Sequence, residues 1–362
     1  MYAYNLNFSL ILAFLIFSSI LYGAQLFVVW TDRCIFDIKM ELLYYLLPLY
    51  STLGFTLLFI ISSKIADCFY SFICIIIGLY LGYLLYIFQI SIIIRILISV
   101  VDIPKLASLL ILYITPFIIC VYGIINALIT KIEKIKLKFP GYKDNIEILH
   151  LSDIHLGAIH QKNSVTRIVR EIKELNPDIV VITGDMEDGS LRVKNDWLVP
   201  FDTLEIPILY VTGNHEELNP EKDMLTVVHQ TKIRHIGKME TFKFKGVNFF
   251  GLDFGYDVKE KLHDAGLKED EPNILLSHVP EMKPEELAQY NIFLFLAGHT
   301  HGGQLFPLNI LAYLTNACFA GLYKDDSENH FVYVSQGVNN AVIPMRVLSS
   351  RIFALITIEE KI

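Results

Sequence analysis

Four stretches of this chain contain no charged side chain and are long enough to cross a lipid bilayer: Leu6–Trp30, Leu42–Ser63, Cys68–Ile94 and Leu106–Thr130. A bilayer core about 30 Å thick needs roughly 20 apolar residues in a helix that rises about 1.5 Å per residue. A charge at its centre costs about 2.5–3.5 kcal/mol on insertion scales, and all four stretches avoid one. The competing reading is four buried helices of a soluble core, which would require four in succession without a polar face. The first stretch is too long, and lacks the basic lead-in, for a cleaved signal peptide. Pro48 and Pro116 lie inside spans, where kinks are tolerated if neighbouring groups take up the freed carbonyls.

The charge balance divides the chain at the same place. Residues 1–130 hold five basic and five acidic groups, about 8% of positions, whereas residues 131–362 are one quarter charged and carry the whole net charge of −8. All 11 histidines fall between His150 and His330. The expected organisation is a four-helix transmembrane module over 1–130, a basic linker over 131–145 and a histidine-rich soluble domain over 146–362. Four spans put Lys64, Lys131, Lys134, Lys136, Lys138 and Lys143 on one side, against Arg33, Lys39, Arg95 and Lys105 on the other. The positive-inside rule then places the soluble domain in the cytoplasm of a multi-pass inner (cell) membrane protein. The linker run KIEKIKLKF alternates basic and apolar residues. It suits either a strap on an anionic membrane surface or an exposed edge strand with its lysines in water. Four of the five cysteines lie in the membrane half with no metal-ligand spacing, so neither a disulfide framework nor a thiolate nucleophile is expected.

From Ile146 onward, short apolar strands alternate with polar helices, the pattern of an α/β or layered α+β domain. Five strands are followed at once by side chains able to bind metal. They are Asp153 and His155; Asp185; Asn214 and His215; His278; and His299 and His301. In open α/β sheets ligands bind beyond the carboxyl ends of strands, and five such endings in register are hard to obtain by chance. Carboxylates, imidazoles and one amide without a thiolate suit Mn²⁺, Fe or Zn²⁺. The donors are too many for one tetrahedral ion and suit two ions about 3.5–4 Å apart sharing a carboxylate. One histidine must then remain unligated to act as general acid.

The motifs Asp153-Ile-His155, Gly184-Asp185-Met-Glu-Asp188, Gly213-Asn214-His215-Glu216, His278 and Gly298-His299-Thr-His301 resemble the calcineurin-like metallophosphoesterases, over about Ile146–Ile358. Gly302-Gly303-Gln304 and the turns at Gly321 and Gly337 resemble the bacterial membrane-associated branch. The resemblance implies a four-layer αββα sandwich. It implies that Asp153, His155 and His301 hold one metal, that Asn214, His278 and His299 hold the other, and that Asp185 bridges them. His215 would be the unligated acid. Two divalent ions, Mn²⁺ foremost, are the implied cofactors. Glu216, where many members carry Asp, and Asp188 are candidates to orient ligands. Arg346 is a candidate phosphate contact, with a structural salt bridge as its alternative.

An enzyme held by several spans meets lipid-borne substrates, so the expected partners are membrane lipids and a lipid-linked phosphate, with no nucleic acid and no protein partner. Within the superfamily, the UDP-2,3-diacylglucosamine pyrophosphate hydrolases of lipid A synthesis fit that setting. They release UMP and 2,3-diacylglucosamine 1-phosphate. Other phospholipid, isoprenoid or nucleotide phosphodiesters are the alternative substrates, and a metal-binding membrane sensor or scaffold is the alternative of another class. No spare apolar helix is visible between Asn214 and His278, so the expectation is that the membrane helices stand in for an acyl-chain lid.

Overall fold

The computed structural model describes residues 8–37, 41–62, 67–217, 224–263, 265, 267–268 and 270–361. They fall into two compact units, Met1–Gly123 and Ile124–Ile362.

Unit 1 contains α1 (Phe8–Phe36), α2 (Leu42–Ser62), α3 (Asp67–Val100) and most of α4 (Lys105–Leu128). Among the described residues, three helical stretches are long and apolar enough to cross a membrane: Leu15–Phe36, Asp67–Val100 and Lys105–Leu128. The fourth expected span corresponds to α2, with Pro48 inside it. Part of that stretch, like the start of the first, lies outside the described residues, as do Lys39 and Lys64 from the charge balance. Leu21, Val28 and Ile35 of α1 pack with Leu84, Ile87 and Ile94 of α3 and Leu112 of α4, an apolar stripe at helical spacing on each partner.

Unit 2 begins seven residues before the expected boundary, so it takes in the last turn of α4. Its first strand, β1 (Thr130–Pro140), is the segment expected as linker. It is an edge strand, paired in parallel with β12 (Arg351–Lys361) from Thr130↔Arg351 to Pro140↔Lys361. Ile135 and Leu137 point into the core, while Lys131, Lys134, Lys136 and Lys138 face out. Period-two alternation thus makes this run a sheet edge guarded by lysines.

The first sheet has the order β1-β12-β2-β3-β4-β5, with β2 (Ile146–Leu151), β3 (Ile179–Thr183), β4 (Ile208–Val211) and β5 (Arg234–His235). The second has the order β10-β11-β9-β8-β7-β6. Its strands are β6 (Glu240–Phe244), β7 (Val247–Gly251), β8 (Asn273–Leu276), β9 (Leu294–Ala297), β10 (Gly321–Lys324) and β11 (Phe331–Val334). Both sheets are mixed: in the first the only antiparallel pair among the described strands is β12 with β2, inside the sheet, and in the second the two edge pairs, β10 with β11 and β6 with β7, are antiparallel.

Alternation sorts each central strand between two cores. Ile146, Ile148, Ile179 and Val181 meet Phe249, Ile274, Leu276 and Leu294 between the sheets. Leu149, Leu151, Val180 and Ile182 face outward onto α5 (Lys162–Leu175), α6 (Asn195–Leu198) and α8 (Met224–Val228). Helix α5 offers Val165, Ile168, Val169 and Ile172 as its apolar stripe, and Asn176 ends it in the left-handed region at φ 48°. On the far side of the second sheet, Leu275, Phe295 and Val332 pack on α9 (Val258–His263) and α10 (Pro284–Leu287). Helix, sheet, sheet and helix form the four layers. Two further helices, α7 (Asn214–Glu217) and α11 (Leu308–Thr315), follow directly on the loops that carry the expected metal ligands.

Candidate metal centre

Each expected ligand sits just past the carboxyl end of a strand. Asp153 and His155 follow β2, Asp185 follows β3, Asn214 follows β4, His278 follows β8, and His299 and His301 follow β9. Strands β2, β3 and β4 run parallel, as do β8 and β9, so each sheet brings its endings to one edge.

The loops turn sharply there. Asp153, His155, Asp185, His299 and His301 have φ between 47° and 72°. That region costs an L-residue about 1–2 kcal/mol and persists where the surroundings impose it, often at functional sites. Here backbone hydrogen bonds impose it. The Asp153 and His155 amides donate to the Gly184 and Asp185 carbonyls at 3.1 and 2.9 Å. From the other side the Asn339 amide donates to the Asp153 carbonyl at 3.1 Å. Gly213 lacks a side chain where a Cβ would run into Asp185, and that close approach lets two ligand loops meet.

The donor atoms form two groups. In the first, His155 Nε2 is 2.8 Å from His301 Nε2, which is 3.2 Å from Asp153 Oδ1. In the second, Asn214 Oδ1 is 3.1 Å from His278 Nε2 and 2.9 Å from His299 Nδ1. Asp185 Oδ2 touches both, 3.2 Å from His278 Nε2 and 3.8 Å from His155 Nε2. Ligands bound to one ion at about 2.0–2.2 Å lie roughly 3 Å from one another, so these separations fit.

The electrostatics fit as well. Asp153, His155 and His278 are fully buried, and among the described residues no lysine or arginine side chain donates to Asp153 or Asp185. Buried carboxylates met only by imidazoles are costly, and dications would answer them. Burial pushes the Asp153 carboxyl up to about 6, with Asp185 adding to the push against the pull of His278. Burial works on Asp185 in the same direction, but His278 outweighs it and holds that carboxyl below the usual range. His278 in turn is lifted to about 9, since Asp185 overcomes the effect of burial. Burial pushes His155 down to about 3 and His299 to about 4, leaving them neutral at pH 7, the form that ligates metal.

His215 stands beside both groups. Its Nδ1 is 3.2 Å from the Asp188 carbonyl, and its Nε2 is 3.9 Å from Asp185 Oδ2. Together with His155 and Asp185 it forms a further group able to hold an ion.

The three auxiliary candidates all engage backbone groups or neighbours of the ligand loops. Asp188 acts on His215 through its backbone carbonyl, while its carboxylate takes the Ser190 amide at 2.7 Å. Glu216 orients no histidine. Its carboxylate accepts the amides of Asp185 (3.1 Å), Met186 (2.6 Å), Glu187 (3.1 Å) and Gly213 (2.5 Å), tying two ligand loops together. Arg346 is fully buried, and among the described residues it forms no salt bridge. Its guanidinium donates to the carbonyls of His301 (3.2 Å), Gly337 (3.3 Å) and Asn339 (2.6 Å). Sequence reasoning missed Asn339, which also donates to the Ile154 carbonyl at 2.6 Å, because no motif marks a loop brace. It also missed α11, whose signal was present as an absence of charge.

Comparison with known proteins agrees with this geometry. The family model for calcineurin-like phosphoesterases matches residues 146–303. A zebrafish (Danio rerio) transmembrane protein with metallophosphoesterase domain is 33% identical over 257 residues, covering 64% of this chain and 58% of that one. An uncharacterized metallophosphoesterase of Helicobacter pylori is 31% identical over 229 residues, 60% of this chain and 61% of its own. Another from Aquifex aeolicus is 31% identical over 229 residues, 60% of this chain and 86% of its own. The chain thus spans about three fifths of the length of the first two relatives.

Proposed function

The chain belongs to the calcineurin-like metallophosphoesterase family, so unit 2 is a metal-dependent phosphoester hydrolase domain. On that premise we propose that the protein cleaves a phosphodiester or pyrophosphate bond of a lipid-linked substrate at a membrane. The observation that carries the reading is the convergence of two donor groups on Asp185, in a chain that also holds helices of bilayer length. Asp153, His155 and His301 would hold one divalent ion and Asn214, His278 and His299 the other, with Asp185 between them. Oxygen and imidazole donors favour Mn²⁺, with Fe or Zn²⁺ also compatible. Bound ions of this kind supply Lewis acidity and a water acidified toward hydroxide.

The chain's own residues do the rest. His215 keeps its Nδ1 proton on the Asp188 carbonyl and delivers a proton from Nε2 to the leaving oxygen. Glu216 holds the Asp185 loop in place through four backbone amides. The outward lysines of β1 favour the cytoplasmic side of an inner membrane for unit 2.

The substrate to try first is UDP-2,3-diacylglucosamine, in which water would split the pyrophosphate into UMP and 2,3-diacylglucosamine 1-phosphate. The assay uses the purified full chain with Mn²⁺ and reads product mass. Release of both products supports the proposal. Turnover only of water-soluble nucleotide diesters, with no phospholipid, isoprenoid or sugar-lipid phosphate consumed, rejects it.

A further inference from the structure

Between the last metal-loop histidine and the end of β10 the chain runs from Gly302 to Tyr323 without a charged or histidine side chain. Elsewhere in this half of the molecule about one residue in four is charged. The centre of the run is α11, which has no buried residue. Its Leu308, Ile310, Leu311, Tyr313 and Leu314 are 44–72% exposed. A helix bathed in water carries a polar face, and here the polar residues are only Asn309 and Thr315 beside the Tyr313 hydroxyl. At eight residues, roughly 12 Å, it cannot span a bilayer, but it can lie in one.

The helix is tied to the metal loop. Gly303 has no side chain where a Cβ would strike the Asn309 backbone, so α11 seats directly on the turn after His301. The tie then continues to the point where the chain leaves α4. The Gln304 side chain donates to the carbonyls of Ala341 (3.0 Å) and Ile343 (2.9 Å), and its own carbonyl accepts the Val347 amide at 2.9 Å. On the same segment the carbonyls of Arg346 and Ser349 accept Asn126, in the last turn of α4, at 3.1 and 2.7 Å. Along this path Val342 and Leu348 are 62% and 69% exposed, and Leu128 at the helix end is 59% exposed.

We infer that α11 and the Val342–Leu348 turn lie in the interfacial layer of the bilayer that the chain leaves at Leu128, so that the metal loop opens onto the membrane surface. The occupant is the bilayer because hydrogen bonds tie this exposed apolar surface to the last turn of a bilayer-length helix. The lack of any charge points to the acyl-ester zone rather than to headgroup attraction. This holds whichever phosphate the metal centre cleaves.

The test reconstitutes the full chain into phosphatidylcholine vesicles with and without dibrominated acyl chains. Trp fluorescence is read for Tyr313→Trp and Leu314→Trp, each against the native background of Trp30 and Trp197. Val199→Trp, an exposed site among Lys162, Arg170 and Lys173, is the water-facing control. The added emission at 313 and 314 should be blue-shifted and mostly lost to bromine, and that at 199 should not. Emission at 313 and 314 no more quenched than at 199 overturns the inference. So does a blue shift without quenching, which would mean that a protein, a second copy included, covers the helix. Two positions are used so that a variant that fails to fold leaves the other to decide.

Discussion

Both units bury polar side chains, but they treat them differently. In unit 1 Thr31 and Ser91 bond to carbonyls of their own helices, while others are answered by a partner on another helix. Gln25 donates to Thr52 at 3.0 Å and accepts from Ser51 at 2.7 Å, Ser51 meets the Tyr80 hydroxyl at 2.9 Å, and the Arg95 guanidinium lies 3.5 Å above the Trp30 ring. Such bonds hold helices together where lipid offers no hydrophobic driving force. In unit 2 the buried carboxylates and imidazoles at the strand ends have mainly one another. That arrangement costs stability until a cation arrives. The lesson is that burial of polar groups does not by itself mark a site. What marks it is a buried set whose charges close only when something is added.

That contrast can be broken most severely at Asp185. Asp185→Ala should abolish hydrolysis and strip both ions, read as turnover and as metal content by mass spectrometry, while membrane insertion of the full chain stays unchanged. Retention of two ions would dissolve the distinction between the units. His215→Ala should keep both ions and slow turnover by roughly 10²–10⁴-fold, the usual worth of general acid–base help. Loss of an ion in that variant would move His215 into the ligand set, where its distance to Asp185 allows it to stand. Glu216→Gln leaves a single acceptor oxygen for four amides. A cost of roughly 10–100-fold in metal affinity or rate is expected, as for other groups that orient ligands. Metal titration followed by calorimetry gives that number. The smallest effect belongs to unit 1. Gln25→Leu should lower helix-bundle stability by about 0.6–2 kcal/mol, seen in detergent unfolding, with turnover unaltered. A drop in turnover there would show that the two treatments of polarity are not separable.

What could be read ahead of the structure follows from how local each signal is. Asp153, His155, Asp185, Asn214, His278, His299 and His301 announced themselves because each directly follows a short apolar run, and strand and ligand are neighbours in sequence. The membrane helices were visible for a similar reason, since a charge-free run of sufficient length is a property of one segment. The pairing of β1 with β12 was not legible. The lysine alternation in 131–139 fits a strap or a strand equally well until its partner, about 220 residues later, is known. Glu216 and Arg346 carried charges that suggested ligands or phosphate, and their hold on backbone groups brought near by tertiary folding had no local signal. Helix α11 fell between two criteria, too short for a span and too uniformly apolar for an amphipathic helix.

The long parallel pairing of β1 with β12 also sets an order of events during synthesis. β1 leaves the ribosome directly after α4, yet its hydrogen-bonding partner is made only after every metal ligand has been translated. Until then both β1 and the β2 edge that β12 will cover stay unpaired. Pairings so distant in sequence are slow to form, and exposed strand edges invite the wrong partner. The outward lysines of β1 therefore act as a temporal safeguard as well as a spatial one. They keep an early-made strand soluble through the whole interval in which the chain is still waiting for the residues that will close the first sheet.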